Sequence, residues 1–237
     1  MLPISFPFDL LPPLLRGAVV TLEITALSAI VAFFMAFLAG FGRLSNYGLI
    51  RVLARVYVEI FRGTSLLVQM FWMYFVFPFF GLQLSALVVA VLALGLNFGA
   101  YGSEVVRSGI LAVPAGQTEA AVALNMTPWR RMWHIILPQA ILLMLPAFGN
   151  QLIELLKATS LVSLITVSDL TFRGMLERTA TLQTTDIFIL LLVLYFVMAS
   201  PLALVTRWIE HKVSLEGRVA GARRRLGTLQ SLAGGVE

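Results

Sequence analysis

Charged residues cluster along the chain and leave long uncharged runs between them. Residues 24–42, bounded by Glu23 and Arg43, form a run of 19 positions. Residues 63–103, between Arg62 and Glu104, form a second of 41. Residues 132–153 form a third of 22, and residues 187–206 a fourth of 20. A helix crosses the roughly 30 Å hydrocarbon core of a bilayer with about 20 apolar residues. Three runs therefore predict one spanning helix each. The longest predicts two, joined by a turn at Pro78 to Ser85, where Pro78, Gly81 and Gln83 interrupt it. The pattern predicts an all-α integral membrane protein with five transmembrane helices.

An odd number of spans places the two ends of the chain on opposite sides. With the N-terminus outside, the inner face receives Arg43, Arg51, Arg55 and Arg62 from the first loop. It also receives Arg107, Arg130 and Arg131 from the middle loop. The tail adds Arg207, Lys212, Arg218, Arg223, Arg224 and Arg225. These are 13 of the 17 basic residues, and basic residues favour the cytoplasmic side, so an N-out, C-in orientation follows. Arg16, Lys157, Arg173 and Arg178 lie elsewhere. The predicted organisation is an external N-terminal segment 1–16, a transmembrane domain 17–210 and a basic cytoplasmic tail 211–237. The first run reads as a permanent helix, because Asp9 and prolines 3, 7, 12 and 13 precede a run too long for a signal core. The tail reads as flexible, with Arg223-Arg224-Arg225 either solvated or set against anionic headgroups.

Composition narrows the chemistry. Hydrophobic residues make up 59% and charged residues 12% of the 237 positions, with a mean hydropathy of +0.92. Soluble domains run about 45–50% and about 25%. The chain has no cysteine, which excludes disulfides, thiol catalysis and cysteine-based zinc sites. In so apolar a chain the net charge of +5 points to membrane topology and not to nucleic acid. A phosphate-cradling P-loop needs Gly-Lys followed by Ser or Thr, yet neither lysine, Lys157 nor Lys212, follows a glycine. The chain therefore supplies no P-loop ATPase of its own, and no cofactor or metal is expected on it.

The most legible local signals lie in residues 104–138. Gln117 to Leu124 is a run of good helix formers with Thr118 available as a start signal. Asn125 suits the left-handed position that ends a helix. Thr127 then caps a second short helix with Pro128 at its first position, where the missing N–H costs little. That helix carries Arg130 and Arg131 beside Trp129, Met132 and Trp133. It is expected at the inner membrane surface before the chain re-enters the bilayer at Ile135.

Glu119-Ala120-Ala121, three residues, Asn125, nine residues and Ile135-x-Leu137-Pro138 resemble the EAA loop of ABC-importer permeases. That family usually has glycine where Asn125 stands, and asparagine is the next most tolerant residue there. Tyr57-Val-Glu59-Ile-Phe-Arg62-Gly63-Thr64 resembles the branch that takes up polar amino acids, with Ser65 where proline is usual. Ala100-Tyr101-Gly-Ser103-Glu104-Val-Val-Arg107, Gly116-Gln117, Pro138-Gln139-Ala140, and Asn150 with Lys157-Ala-Thr159-Ser160-Leu161 resemble the same branch. Together they cover about residues 17–210.

The resemblance implies a type I importer in a bacterial cytoplasmic (inner) membrane. Its parts are two permease subunits, identical or related, two ATPase subunits that hold ATP and Mg, and an external solute-binding protein. It implies a solute that is a polar amino acid or a related zwitterion such as ectoine. Its coupling helix, between helices 3 and 4, docks on the ATPase, which makes Glu119, Ala120, Ala121, Asn125, Arg130, Arg131, Leu137 and Pro138 the coupling residues. It places Asn150, Glu154, Lys157, Thr159 and Ser160 near the substrate path.

The residues themselves leave alternatives. Glu119 reads as a coupling residue or as a carboxylate near a helix start. Glu154 and Lys157, ionisable groups at membrane depth three apart on a helix, either pair with each other or leave Glu154 to meet a cationic solute. Glu23 reads as structural, Glu59 and Arg62 as a mutual pair, and His134 as a surface residue. Pro138 and Pro146 read as kinks in the fourth span. Residues 165–186, with Asp169, Arg173, Glu177 and Arg178, are where substrate-specific variation is expected. A gradient-driven transporter or channel is the alternative class, although no internal repeat supports it. A membrane enzyme lacks a His/Asp cluster or a motif serine.

Overall fold

The computed structural model describes residues 10–233, with side chains described for residues 10–212. Nine α-helices and no strands occur among the described residues. They are α1 (Leu11–Leu44), α2 (Gly48–Gly63), α3 (Leu66–Phe71), α4 (Ala86–Leu111), α5 (Ala115–Ala123), α6 (Pro128–Arg131), α7 (Leu137–Ala158), α8 (Leu170–Thr181) and α9 (Thr184–Ala233). Four helical stretches are long and apolar enough to cross a membrane: Leu11–Leu44, Ala86–Leu111, Pro128–Ile165 and Thr184–Lys212. A fifth arises if α2 and the helical stretch Leu66–Phe80, bent by 103° at their break, count as one span.

Three elements depart from the sequence expectation. The first helix begins at Leu11, with Pro12 and Pro13 in its opening turn, so residues 11–16 belong to it. Proline is tolerated there because the first N–H groups of a helix have no intrahelical partner. Glu23 is consequently about three turns inside α1. The loop after the first span is largely a helix, α2. The last helix runs unbroken to Ala233, through most of the stretch read as a flexible tail. The side chains of Arg223-Arg224-Arg225 lie outside the described ones.

The core begins with α1 against α4. Gly95 and Gly99 on α4 let the backbones approach so closely that an added Cβ would stand 2.6 Å from Val31 Cβ and 2.6 Å from Met35 Cβ respectively. In lipid, where apolar burial gives little drive between helices, small residues at such crossings supply the packing. One apolar cluster joins Ile24, Met70, Val89, Leu94, Phe98 and Leu155. A second, of Leu14, Leu170, Ile187, Leu190 and Leu191, binds α1, α8 and α9. A third, of Ala36, Val106, Ile110, Val113, Ile136 and Met144, fastens the ends of the middle loop to α1, α4 and α7.

Two turns of π-helix share a cause. Trp72–Val76 is followed by Pro78, and Met132–Ile136 by Pro138. In each, the residue before the proline donates five back, Phe77 N–H to Trp72 O and Leu137 N–H to Met132 O. A proline ring clashes with the carbonyl four residues earlier, and one wide turn relieves that clash. Pro146 lies inside α7.

Candidate functional site

The middle loop is a helix–turn–helix. Pro114, in extended conformation, precedes α5, so the helix starts at Ala115 and Thr118 sits inside it instead of starting it. Asn125 has φ of 57°. Its N–H donates to Val122 O at 2.9 Å, and Met126 N–H donates to Ala121 O at 3.0 Å. This is the paired closure of a Schellman turn, with Asn125 at the left-handed position. Thr127 accepts from Arg130 N–H, with Pro128 in the first turn of α6. The π-helical turn then carries α6 directly into α7.

The eight coupling candidates divide. Glu119, Ala120, Asn125, Arg130 and Pro138 are exposed and Arg131 is half-buried, whereas Ala121 and Leu137 are buried. Ala121 and Leu137 therefore pack the loop and do not present a surface. Beside the exposed residues stand the exposed side chains of Val122, Leu124 and Trp129, with Trp129 and Trp133 rings 5.3 Å apart. Gln139 Nε2 donates to Gln117 Oε1 at 3.4 Å and to Ile135 O at 2.8 Å, tying α5 to the start of α7.

A neighbouring ion cluster fixes the C-terminal part of α1 to that of α4. Glu104 accepts from Arg43 Nη1 at 2.6 Å and from Arg107 Nη2 at 2.5 Å. These are the ion pairs among the described residues, so Glu59 and Arg62 do not pair as expected, nor do Glu154 and Lys157. Sequence reasoning quoted Glu104 and Arg107 in a motif but gave them no role. Their spacing of three was the available signal.

The substrate-path candidates also divide. Leu143, Ala147, Asn150, Glu154 and Lys157 are exposed and follow one another along one stripe of α7, so three of the five candidates share a face. Asn150 Nδ2 donates to Glu210 Oε1 at 3.3 Å, linking α7 to α9. Thr159 is buried and donates to Leu156 O at 2.6 Å, and Ser160 O accepts from Ser163 Oγ. Both stabilise the tight turn Thr159–Ile165 and stand off the stripe. A cavity of about 200 Å³ is lined by Ala29, Phe33, Phe98, Phe148, Gln151 and Leu155. Gln151 Nε2 donates to Phe98 O, and its buried Oε1 has no partner.

Asp169 departs from the role expected of residues 165–186. It is fully buried and caps α8, accepting from Phe172 N–H at 2.9 Å and Thr171 N–H at 3.2 Å. Burial pushes its carboxyl up to about 6. The carboxylate thus serves as the structural cap of α8. Among the described residues no group of three or more His, Cys, Asp or Glu could hold a metal ion.

Residues 28–215 match the family model of the binding-protein-dependent transport system inner membrane component. The chain is 45% identical over 222 residues to a probable amino-acid ABC transporter permease protein, y4tF, of Sinorhizobium fredii, covering 91% of this chain and 92% of that one. It is 38% identical over 216 residues to the L-cystine transport system permease protein TcyB of Bacillus subtilis, covering 88% and 92%. The crystal structure of an amino acid ABC transporter with histidines superposes with a TM-score of 0.80 at 35% identity, covering 85% and 94%. With its fold and nearly its whole length matched, the chain belongs to the binding-protein-dependent transport system inner membrane component family, as an ABC-transporter permease.

Proposed function

We propose that this permease forms the translocation path for a polar amino acid or a related zwitterion, ectoine-like solutes included, in an ATP-driven importer of a bacterial cytoplasmic (inner) membrane. The amino-acid and L-cystine permeases among its relatives support that solute class. The observation that carries the reading is the rigid middle loop. Its Schellman turn at Asn125 and its Gln117–Gln139 tie hold Glu119, Trp129 and Arg130 outward on a fixed frame. Such a frame transmits displacement, because packed elements move as units. The loop docks on an ATPase subunit that holds ATP and Mg. The full assembly has two ATPases, a second permease and an external solute-binding protein. The chain crosses five times, N-out and C-in, counting the bent pair as one span, and ATP hydrolysis belongs to the partners. Solute passes along the Asn150, Glu154 and Lys157 stripe where the second permease closes it.

The test is detergent co-purification of the tagged permease with mass spectrometry of its partners, wild type against Glu119→Arg. Wild type is expected to recover an ATPase and the variant to lose it. A wild type that recovers none, under conditions that preserve a known importer, overturns the reading and favours a gradient-driven transporter.

A further inference from the structure

At the junction of α1, α2 and α4 lies a cavity of about 430 Å³ lined by Arg43, Arg55, Glu59, Arg62, Gly63 and Tyr101. Three guanidiniums and one carboxylate give this lining a formal excess of two positive charges, unlike the apolar cavity between α1 and α7. Arg43 is already engaged by Glu104. Arg62 lies over the Tyr101 ring, its Cζ 5.1 Å from the centroid. Arg55, Arg62 and Glu59 enter no ion pair among the described residues. With Arg43 engaged, Arg55, Arg62 and Glu59 leave the lining one formal positive charge in excess, and neither guanidinium is ion-paired among the described residues.

Helix α2 carries a second, independent feature. Leu49, Val52, Leu53, Val56 and Ile60 recur at i, i+3, i+4, i+7 and i+11, and each is between 46% and 74% exposed. Arg51, Arg55 and Arg62 recur at i, i+4 and i+11 on another side. A helix divided in this way lies in the plane of the headgroup–acyl boundary. The 103° bend after Gly63 then turns the chain out of that plane into the span. Basic pockets between helices at the cytoplasmic surface suit anionic headgroups, and guanidinium offers phosphate a bidentate fork.

We propose that this cavity binds the phosphate of an anionic phospholipid of the inner leaflet. Arg55 and Arg62 are the principal ligands, and the acyl chains lie against the apolar stripe of α2. The assignment to the inner leaflet rests on the N-out orientation proposed above. An amino-acid solute has no use for the exposed apolar stripe beside the charge, whereas a lipid uses both.

The permease–ATPase complex in detergent would be incubated with equal amounts of phosphatidylglycerol and phosphatidylcholine, and retained lipid read by native mass spectrometry. Wild type is expected to retain phosphatidylglycerol preferentially. Arg55→Gln with Arg62→Gln is expected to lower that retention roughly 10–30-fold, about fivefold for each arginine. Arg55→Lys with Arg62→Lys keeps the charge and should retain most of it, and the single Gln variants serve if the double one fails to assemble. Equal retention by wild type and the Gln variants overturns the proposal. So does displacement of the lipid by excess inorganic phosphate, which would assign the site to a free anion. An ATPase lost already from wild type would instead count against the transport reading.

Discussion

Asn97 of α4 and Gln69 of α3 meet at the break between α2 and α3, Asn97 Nδ2 donating to Gln69 Oε1 at 3.1 Å. Both amides also donate to Phe61 O, at 3.0 and 2.9 Å. Thr64 Oγ1 donates to Ile60 O at 2.7 Å and accepts from Gln69 Nε2 at 2.7 Å. The last carbonyls of a helix have no intrahelical partner, and here side chains supply what the bend removes. Asn97→Leu and Gln69→Leu are each expected to lower stability by about 1–2 kcal/mol, because each removes hydrogen bonds from a part-buried cluster. The double variant should fall short of the sum, by on the order of 1 kcal/mol. Thermal unfolding of the purified complex measures this, and strict additivity would show that the two amides do not act together.

The crossing of α1 over α4 makes a sharper prediction. At Gly99 a Cβ would stand 2.6 Å from Met35 Cβ and 3.0 Å from Tyr57 Oη. Gly99→Ala must therefore push α1 away, at a cost of about 1–3 kcal/mol. Gly48→Ala, with nothing within 4 Å, should be neutral or slightly stabilising, as alanine favours the helix by about 1 kcal/mol. Melting temperatures of the two variants, compared with wild type, decide the matter. Equal effects would mean that the helices have slack at this crossing.

Asp169 gives the fold a pH dependence of definite sign. Its carboxyl titrates at about 6 when folded, against an ordinary value of 3.8, chiefly because burial disfavours the charge. The folded state thus holds the proton more tightly. Stability from this group is fully present below the ordinary value and is lost as pH rises from there through about 6. The loss is on the order of 3 kcal/mol. Asp169→Asn keeps a capping oxygen for α8 and should flatten this part of the profile. Melting curves between these pH values test it, and an identical slope in the variant would assign the titration to another group.

The sequence was informative where one local signal decides the structure. The uncharged runs mark the long helices, and Asn125, Thr127 and Pro128 mark the middle turn, because each acts on its own backbone. It was silent where the deciding partner is distant. Arg43 reaches Glu104 across 61 positions, and Asp169, whose cap bonds to α8 are local, is buried because α1 and α9 close on it at Thr21 and Tyr195. Helix α2 escaped a search for uncharged runs because its arginines recur within it, although its apolar positions recur at helical spacing. Thr118 misled because Pro114 starts the helix earlier. Of the site, the turn was legible, but the division of its residues into buried Ala121 and Leu137 and exposed Glu119 and Arg130 depends on burial that no local spacing encodes.

The wide turn before Pro138 has a consequence for direction. It accommodates one more residue than an ordinary turn, so the helix beyond it is rotated by roughly 100° relative to an unbroken continuation. Trp129 and Arg130 on one side, and Asn150 and Glu154 on the other, therefore follow different phases of one rod. A helical wheel drawn straight through Pro128–Ala158 would assign their azimuths wrongly. Removing one residue from Met132–Ile136 would therefore restore an ordinary turn and leave the azimuths of the two flanks nearly unchanged, while bringing the Pro138 ring back against the carbonyl four residues earlier.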